Sequence, residues 1–270
     1  MVDNEIAGEV IGVSFDGTGY GTDGKIWGGE FLVSSYDKFR RMAHLEYTPL
    51  PGGEKAIKEP WRMAACYLFK AYGDDMLNLE IDFIKNLDRD KWAIIRNMID
   101  KGLNSPLTSS AGRFFDAVSA LSGVRNEIYY EGQAAIELEM KAASGEYDEY
   151  SFDLEEVDNE FIVILEPVIK SIVYDLENSV RIETISAKFH NTVANIILSI
   201  CLKIGKIERM KRVVLSGGVF QNTYLLNKTL NLLDKNGFKV FFHHRVPPND
   251  GGVALGQAII ANELIKRGLV

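Results

Sequence analysis

The chain has 270 residues and a formal net charge of −8 at pH 7. Such an acidic chain lacks the basic face that releases counterions from a phosphate backbone, which disfavours nucleic-acid binding. No uninterrupted apolar run approaches the roughly 20 residues of a membrane span, and the N-terminus has no signal-peptide pattern, so we expect a cytoplasmic protein without membrane contact. Only two cysteines, Cys66 and Cys201, are present, far apart, and a disulfide framework or C-x-x-C zinc site is not expected.

The first elements predict a β-hairpin. A β-branched apolar run, EVIGVSF, is followed by the glycine-rich DGTGYGTDG and by KIWGGEFLVS, which alternates like a returning strand. From residue 54 the apolar residues take helical spacing, in AIKEPWRMAACYLFKAYG, DDMLNLEIDFIKNL and DRDKWAIIRNMIDKG. A block of helices therefore follows the hairpin.

Two more helices and an acidic stretch complete the middle of the chain. TSSAGRFFDAVSALSGV offers Ser109 or Ser110 as N-cap, and YYEGQAAIELEMKAA continues as another helix. The stretch GEYDEYSFDLEEVDNEF predicts a solvated connection or one edge strand, and we place a weak domain boundary there. Residues 1–150 would form a partial first lobe with the helical block, and residues 151–270 an α/β nucleotide-binding lobe.

The last third of the chain alternates helices with strands. ISAKFHNTVANIILSICLKIG predicts a helix, RVVLSG a buried strand, GVFQNTYLLNKTLNLLDKNG a helix closed by Gly237, and FKVFFHH another strand. A final helix follows NDGG. This order predicts an α/β fold whose strands are covered by helices.

Three glycine-rich turns stand at strand ends, at residues 16–24, 216–218 and 249–252. The last two lead into helices, where unpaired N–H groups and the helix dipole favour an anion. Any one turn fits an ordinary tight bend, but together they indicate a nucleotide held between two lobes, as in the actin, sugar-kinase and Hsp70 superfamily. Asp16 and Asp250 occupy two of these turns, where carboxylates can hold a divalent metal beside phosphates or simply cap a turn.

The sequence assigns no catalytic residue. The candidates are Arg62 and Arg113, whose guanidinium groups could hold phosphate or carboxylate oxygens, although surface ion pairs explain either one as well. Asn222, one turn into its helix, could contact a ribose or base or could help to cap the helix. The four histidines show no metal-ligand spacing, and no Ser-His-Asp arrangement is evident.

Six segments, in order, resemble the C-terminal part of the HypF family of hydrogenase-maturation carbamoyltransferases. They are VSFDGTGYGTDGKIWGGEFL, LPGGEKAIKEPWRMA, TSSAGRFFDAVSALSG, YEGQAAIELE, LSGGVFQN and PPNDGGVALGQA, and they extend from about residue 10 to about residue 261. The resemblance implies a domain similar to the tRNA threonylcarbamoyl transferases, with an actin-like two-lobed fold. It implies that ATP and carbamoyl phosphate form carbamoyl adenylate, which carbamoylates the C-terminal cysteine of the partner HypE on the way to the cyanide ligand of [NiFe]-hydrogenase.

The resemblance also implies site residues. It places Asp16 and Asp250 at a metal position, for Zn, Fe or Mg. It places the following residues at the nucleotide: Gly17, Thr18, Arg40, Gly53, Gly217, Gly218 and Asn222. Arg40 departs from the pattern, because the tRNA-modifying relatives tend to carry an aspartate there.

The family's histidine-rich metal motif normally precedes VSFDGTGYG, and here only nine residues precede Val10. We therefore expect an N-terminally truncated first lobe with a helical insertion, and a weakened or vacant metal site. Three rival functions stay open: an O-carbamoyltransferase of the nodulation or antibiotic type, a tRNA threonylcarbamoyl transferase, which the acidic charge opposes, and a nucleotide-binding, partner-docking module that is inactive without upstream domains. A simple kinase of the same fold would instead consume γ-phosphate.

Overall fold

One mixed β-sheet runs through the protein, which we describe from a computed structural model covering residues 1–269. The described residues form nine strands: β1 Val10–Tyr20, β2 Ile26–Ser34, β3 Phe39–Leu45, β4 Thr48–Pro49, β5 Leu107–Thr108, β6 Asp153–Val157, β7 Glu160–Ile164, β8 Arg212–Ser216 and β9 Lys239–Phe241. They also form ten α-helices: α1 Glu54–Lys58, α2 Trp61–Tyr72, α3 Asp82–Lys85, α4 Arg89–Asp100, α5 Ala111–Leu121, α6 Gln133–Lys141, α7 Glu166–Glu177, α8 Ile182–Ile207, α9 Thr223–Lys235 and α10 Val253–Lys266.

The strand order is β6-β7-β3-β2-β1-β8-β9, with the short β4 and β5 attached beside β2. Strands β1, β2 and β3 are antiparallel neighbours, whereas β8 lies parallel to β1 and β9 parallel to β8. The predicted hairpin and the α/β class are therefore confirmed. Because Ser14 pairs with Ser216, β8 ends beside the middle of β1, and the turn after β8 lies next to the irregular part of β1 between Phe15 and Gly19.

Helix α5 lies at the centre of the packing. It contacts α2, α6 and β1, and every one of its residues is buried. Phe114 and Phe115 on α5 meet Phe189 of α8 edge to face, with ring centroids 5.1 and 4.8 Å apart. A helix buried on all sides is expected to be apolar throughout, so the two charged residues that α5 carries, Arg113 and Asp116, need an explanation.

The structure corrects several predicted elements. The segment Phe39–Leu45 forms β3, which the sequence did not reveal because two arginines interrupt its apolar alternation. The acidic stretch contains a hairpin, β6 and β7, at the edge of the sheet, rather than a connection with one strand. Helix α7 was also missed, and residues 74–87 are mostly a 3-10 helix and the short α3. Strands from both sides of residue 150 form the same sheet; the domain boundary there stays a prediction.

Helix α8 is long and apolar enough, by length and composition alone, to cross a membrane. Its most apolar window of 18 residues has a mean hydropathy of 1.2, but 72% of that window is buried inside the protein. Burial of this extent is the pattern of a core helix.

Candidate functional site

A cavity of about 580 Å³ opens beside the middle of β1 and the end of β8, between these strands and helices α5 and α6. It is bounded by the turn after β8, the turn before α10 and the loop before α6. Its wall includes Asp16, Gly17, Gly112, Arg113, Phe115, Asp116, Glu131, Gly132, Ala135, Ile136, Glu139, Gly218, Asn222, Asn249, Asp250 and Gly251. Residues of all three glycine-rich stretches therefore line one space, with α5 and α6 closing it. Asp16 and Gly17, however, lie in the irregular part of β1 and not in a turn as the sequence predicted.

Two glycines let these segments approach each other closely. Gly217 has φ of 104°, and a Cβ there would lie 2.0 Å from the carbonyl oxygen of Phe15 on β1. A Cβ on Gly112, at the start of α5, would lie 2.9 Å from the Cα of Gly17. Only glycine fits at either position, since both would force backbone into contact with a side chain. The backbone of β1 from Phe15 to Gly17 is thus held between the turn after β8 and the start of α5.

Asp16 is the carboxylate at the centre of this contact. Its Oδ1 accepts a hydrogen bond from the Gly17 amide at 2.7 Å, and the Gly218 amide also donates to the carboxylate. Burial raises the pKa of the Asp16 carboxyl above its ordinary value, and the nearby carboxylates of Asp250 and Glu131 raise it further, although the two amides oppose the shift. A cation beside Asp16 would relieve this crowding of negative charge.

Ser110 connects the start of α5 to β1 at Asp16. Its hydroxyl donates to the carbonyl oxygen of Asp16 at 2.7 Å and accepts from the amide of Arg113 at 3.1 Å, which makes it the N-cap of α5. The predicted capping serine is confirmed. One side chain therefore fixes both the helix start and the backbone that presents Asp16.

Asn222 lines the cavity, and the buried His190 ring lies behind it. The Asn222 amide group donates to His190 Nε2 at 2.8 Å, and His190 Nδ1 donates to the Ser186 carbonyl oxygen at 2.7 Å. Burial lowers the pKa of His190 to about 4, so the ring is neutral at pH 7 and can accept from Asn222. Asn222 Oδ1 caps α9 through the Leu225 amide at 2.8 Å. Both ends of the Asn222 amide are thereby oriented.

The start of α9 is already capped, contrary to the expectation of unpaired N–H groups there. Glu139 of α6 accepts from the Thr223 amide and hydroxyl, both at 2.8 Å, and from the Tyr224 amide at 3.1 Å. With Asn222 on the next amide, the first donors of α9 are occupied by protein groups. The first three N–H groups of α9 are therefore not available to bind an anion.

Arg113 and Asp116 bring an ion pair to the cavity wall from inside the buried helix α5. Arg113 Nη2 lies 3.0 Å from Asp116 Oδ2, and the two side chains are only 6% and 2% exposed. Burial raises the pKa of Asp116 to about 6, even though the Arg113 guanidinium favours the carboxylate. Sequence reasoning missed Asp116; the signal was an arginine and an aspartate three residues apart in an otherwise apolar helix.

Five predicted residues do not line the cavity. Gly217 packs against Phe15 next to the cavity residue Gly218, and Thr18 is exposed on β1. Arg40 makes a surface ion pair with Glu208 at 2.9 Å, and Gly53 precedes α1 with Asn104 as its near neighbour. Arg62 pairs with Glu59 in the next turn and lies over the Trp61 ring. The residues brought together at the cavity are Asp16, Gly17, Arg113, Gly218, Asn222 and Asp250.

The donor set fits one kind of metal better than another. Within residues 1–269, no group of three or more His, Cys, Asp or Glu side chains is arranged to hold a metal ion. The cavity does offer the carboxylates of Asp16 and Asp250. Two carboxylates suit a hard cation such as Mg²⁺, which completes its shell with water and phosphate oxygens, and not a structural zinc site with four nitrogen or sulfur ligands.

Comparison with known proteins gives a consistent match. The family model described as "Carbamoyltransferase, Kae1-like Domain, second subdomain" matches residues 12–257, which includes every turn of the cavity. The carbamoyltransferase HypF of Synechocystis is 37% identical, covering 93% of this chain and 34% of its own length. The probable carbamoyltransferase HypF of Methanocaldococcus jannaschii is 34% identical, covering 95% of this chain and 33% of its own.

A solved structure supports the fold. The crystal structure of a full-length HypF in a phosphate- and nucleotide-bound form superimposes with a TM-score of 0.91 at 43% identity, covering 97% of this chain and 40% of that one. The chain spans about a third of the length of the two curated relatives.

Proposed function

Because the chain belongs to the HypF family of carbamoyltransferases, we propose that its cavity binds an adenine nucleotide and holds carbamoyl adenylate for transfer. The acceptor is the C-terminal cysteine thiol of the partner HypE, and the product leads to the cyanide ligand of [NiFe]-hydrogenase. The observation that carries this proposal is that the irregular part of β1, at Asp16 and Gly17, and the turn after β8 line one cavity together with Asn222. The relative solved with phosphate and nucleotide bound supports the choice of ligand.

The cavity has two chemically different ends, which suggests how a nucleotide would lie. Ala135 and Ile136 of α6 and the Phe115 ring supply apolar surface, and the oriented amide of Asn222 stands beside it. This end suits the flat, apolar faces and polar edges of adenine. The opposite end, with Gly17, Gly218 and Arg113, suits phosphate. Thr18, Arg40 and Gly53 do not line this cavity, and their contact with the nucleotide stays a prediction.

The transfer step needs a thiolate from outside the chain. Cys66 and Cys201 are both buried, and burial raises the pKa of each thiol far above its ordinary value. In the proposed step the acceptor sulfur forms a bond to the carbamoyl carbon, the bond from that carbon to the AMP phosphate oxygen breaks, and AMP leaves. The thiol proton goes to solvent before attack. This chain's residues orient the adenylate and limit the access of water, which would compete as nucleophile.

A divalent cation fits the proposal at Asp16 and Asp250, where it would neutralise phosphate charge when bound. The cytoplasm is the proposed compartment, since it would keep the two buried thiols reduced. The actin-like, two-lobed assignment is also part of the proposal, supported by the mixed sheet with helices on it. The acidic net charge supports a partner that is not a nucleic acid.

The test supplies the chain with preformed carbamoyl adenylate and HypE, and looks for a carbamoyl mass increment on the terminal cysteine. HypE with that cysteine changed to serine is the matched acceptor control. Transfer to the cysteine alone is the expected result. Transfer to serine or to a sugar hydroxyl would favour an O-carbamoyltransferase, and nucleotide binding without any transfer would favour a partner-docking module.

A further inference from the structure

The side chains of the cavity wall are mostly negatively charged, which disfavours a phosphate. The carboxylates along its wall belong to Asp16, Asp116, Glu131, Glu139 and Asp250. Among the side chains that line it, Arg113 is the only one with a fixed positive charge. An anionic ligand therefore has little to attract it here unless a cation balances the field, and Arg113 is the cation that the chain itself supplies.

Backbone donors do not fill this need. The first amides of α9 are capped by Glu139 and Asn222, and the Gly218 amide donates to Asp16. Before α10, the Gly251 amide donates to Asn249 Oδ1 at 3.1 Å. The N–H groups that glycine-rich turns usually offer to phosphates are largely occupied by protein acceptors here, which leaves side-chain donors as the remaining source.

Arg113 has unused hydrogen-bonding capacity. Its Nε and Nη1 have no hydrogen-bond partner, and Asp116 Oδ2, 3.0 Å from Nη2, is not aligned to accept a hydrogen bond. A guanidinium carries five N–H donors, and most of those of Arg113 lack an acceptor although the side chain is only 6% exposed. Nη2 lies towards Gly17 of β1, since a Cβ on Gly17 would be 3.5 Å from this nitrogen. Because glycine has no side chain, there is room between Arg113 and this part of β1.

We propose that Arg113 binds an anionic phosphate oxygen of the nucleotide beside Gly17, and that Asp116 is a positioning residue that holds the guanidinium at the cavity wall. This inference rests on the proposed function, which supplies the ligand. The oxyanion accepts a hydrogen bond from Nη2, the guanidinium nitrogen that lies towards Gly17. Asp116 keeps the arginine charge tolerable inside α5 when no ligand is present.

The experiment is calorimetric titration of the chain with ATP, AMP and adenosine at one fixed magnesium concentration, for wild type and Arg113→Met. Arg113→Met should weaken ATP and AMP binding by about tenfold or more, the effect of removing one charge-assisted hydrogen bond, and leave adenosine binding within about twofold. Arg113→Lys should recover part of the loss. Arg62→Met is the matched control, since Arg62 is also helical and also pairs with a carboxylate three residues away, yet lies outside the cavity.

Asp116→Asn tests the positioning role. It should weaken AMP binding less than Arg113→Met does, and the two changes combined should weaken it no more than Arg113→Met alone, because Asp116 acts through Arg113. If Arg113→Met does not fold, as judged by circular dichroism, the variant that also changes Asp116→Leu removes the buried unpaired charge and carries the same test.

Each outcome decides the inference. An equal loss of AMP and adenosine affinity would assign Arg113 to structure only, and unchanged AMP affinity would overturn the proposal. If wild type binds no nucleotide, the proposed function fails, and titration with inorganic phosphate then decides the role of Arg113. Phosphate binding that Arg113→Met abolishes would uphold that role, and no phosphate binding by wild type would overturn it as well.

Discussion

The protein buries two arginine–carboxylate pairs near the same sheet, and they differ in how completely they are bonded. In the first, Arg41 Nε donates to Glu30 at 2.6 Å, and the two side chains are 8% and 3% exposed. Ser109 and the amides of Gly28 and Gly29 also donate to Glu30. In the second, Arg113 and Asp116 are equally buried, but Asp116 Oδ2 and two guanidinium nitrogens have no hydrogen-bond partner, against one guanidinium nitrogen, Nη2, in Arg41.

The surroundings of the two pairs explain the difference. Arg41 also donates to the Tyr47 hydroxyl at 2.8 Å and stacks over the Trp27 ring, with its guanidinium carbon 4.2 Å from the centroid. Glu30 thereby fixes Gly28 and Gly29, and a Cβ on Gly28 would lie 2.6 Å from the Asp16 carbonyl oxygen. The Arg41 pair holds the strands in place, whereas the Arg113 pair borders the cavity. Burial alone does not mark a functional residue; unused bonding capacity at a cavity does.

The largest effect on stability is expected at the well-bonded pair. Glu30→Ala should lower the free energy of unfolding by about 3 to 5 kcal/mol, because it leaves the buried Arg41 charge without its partner. Urea unfolding monitored by circular dichroism measures this, with Glu30→Gln as the milder control that keeps a hydrogen-bond acceptor. A loss below about 1 kcal/mol would remove the distinction between the two pairs, since a well-bonded buried pair cannot be broken so cheaply.

Behind Asn222, the buried His190 is a well-bonded group that titrates. Because burial lowers the pKa of His190 to about 4 from the ordinary 6.5, the unfolded chain takes up a proton at this position as pH falls below 6.5 while the folded chain does not. Its contribution to stability is therefore complete above pH 6.5 and is lost as pH falls towards 4, by up to about 3 kcal/mol.

His190→Gln should flatten that part of the pH profile, measured by urea unfolding at several pH values. A shallower slope of the same sign should remain, because burial also lowers the pKa of His44 to about 4. An unchanged slope between pH 6.5 and 4 would show that His190 is not the neutral acceptor described here, and the orientation of Asn222 would lose its support.

The smallest stability effect is expected at the under-bonded pair. Arg113→Met should cost at most about 2 kcal/mol at pH 7, because Asp116, whose pKa is already raised to about 6, can take up a proton once the guanidinium is gone. The cost should shrink at pH 5, where protonation needs less free energy. Urea unfolding at both pH values is the measurement, and a loss as large as that of Glu30→Ala would make the two pairs equivalent.

Much of this organisation could be predicted from sequence, because local patterns encode it. The hairpin, the serine cap of α5, the end of α9 at Gly237 and the α/β class depend on periodicity and capping within a few residues. Strand β3 could not, because Arg40 and Arg41 hide the alternation, and only the folded sheet shows that Arg41 is buried while Arg40 is at the surface.

The candidate site likewise has residues that the sequence predicts and contacts that it does not. The glycine turns and Asp16, Asp250 and Asn222 carry sequence signals, and the structure brings them to one cavity. That Arg113, and not Arg62, borders the cavity depends on which face of which helix meets β1, and the capping of α9 by Glu139 depends on a contact across 84 residues of chain. Such long-range contacts leave no local pattern to detect.

We expect the cavity between the middle of β1, the end of β8 and helices α5 and α6 to be the nucleotide site. A crystal structure of the chain with AMP bound tests it most directly. The account predicts the adenine beside Asn222 and Ile136 and the phosphate within hydrogen-bond distance of Arg113, next to Gly17. AMP bound elsewhere on the chain, with this cavity empty, would contradict it.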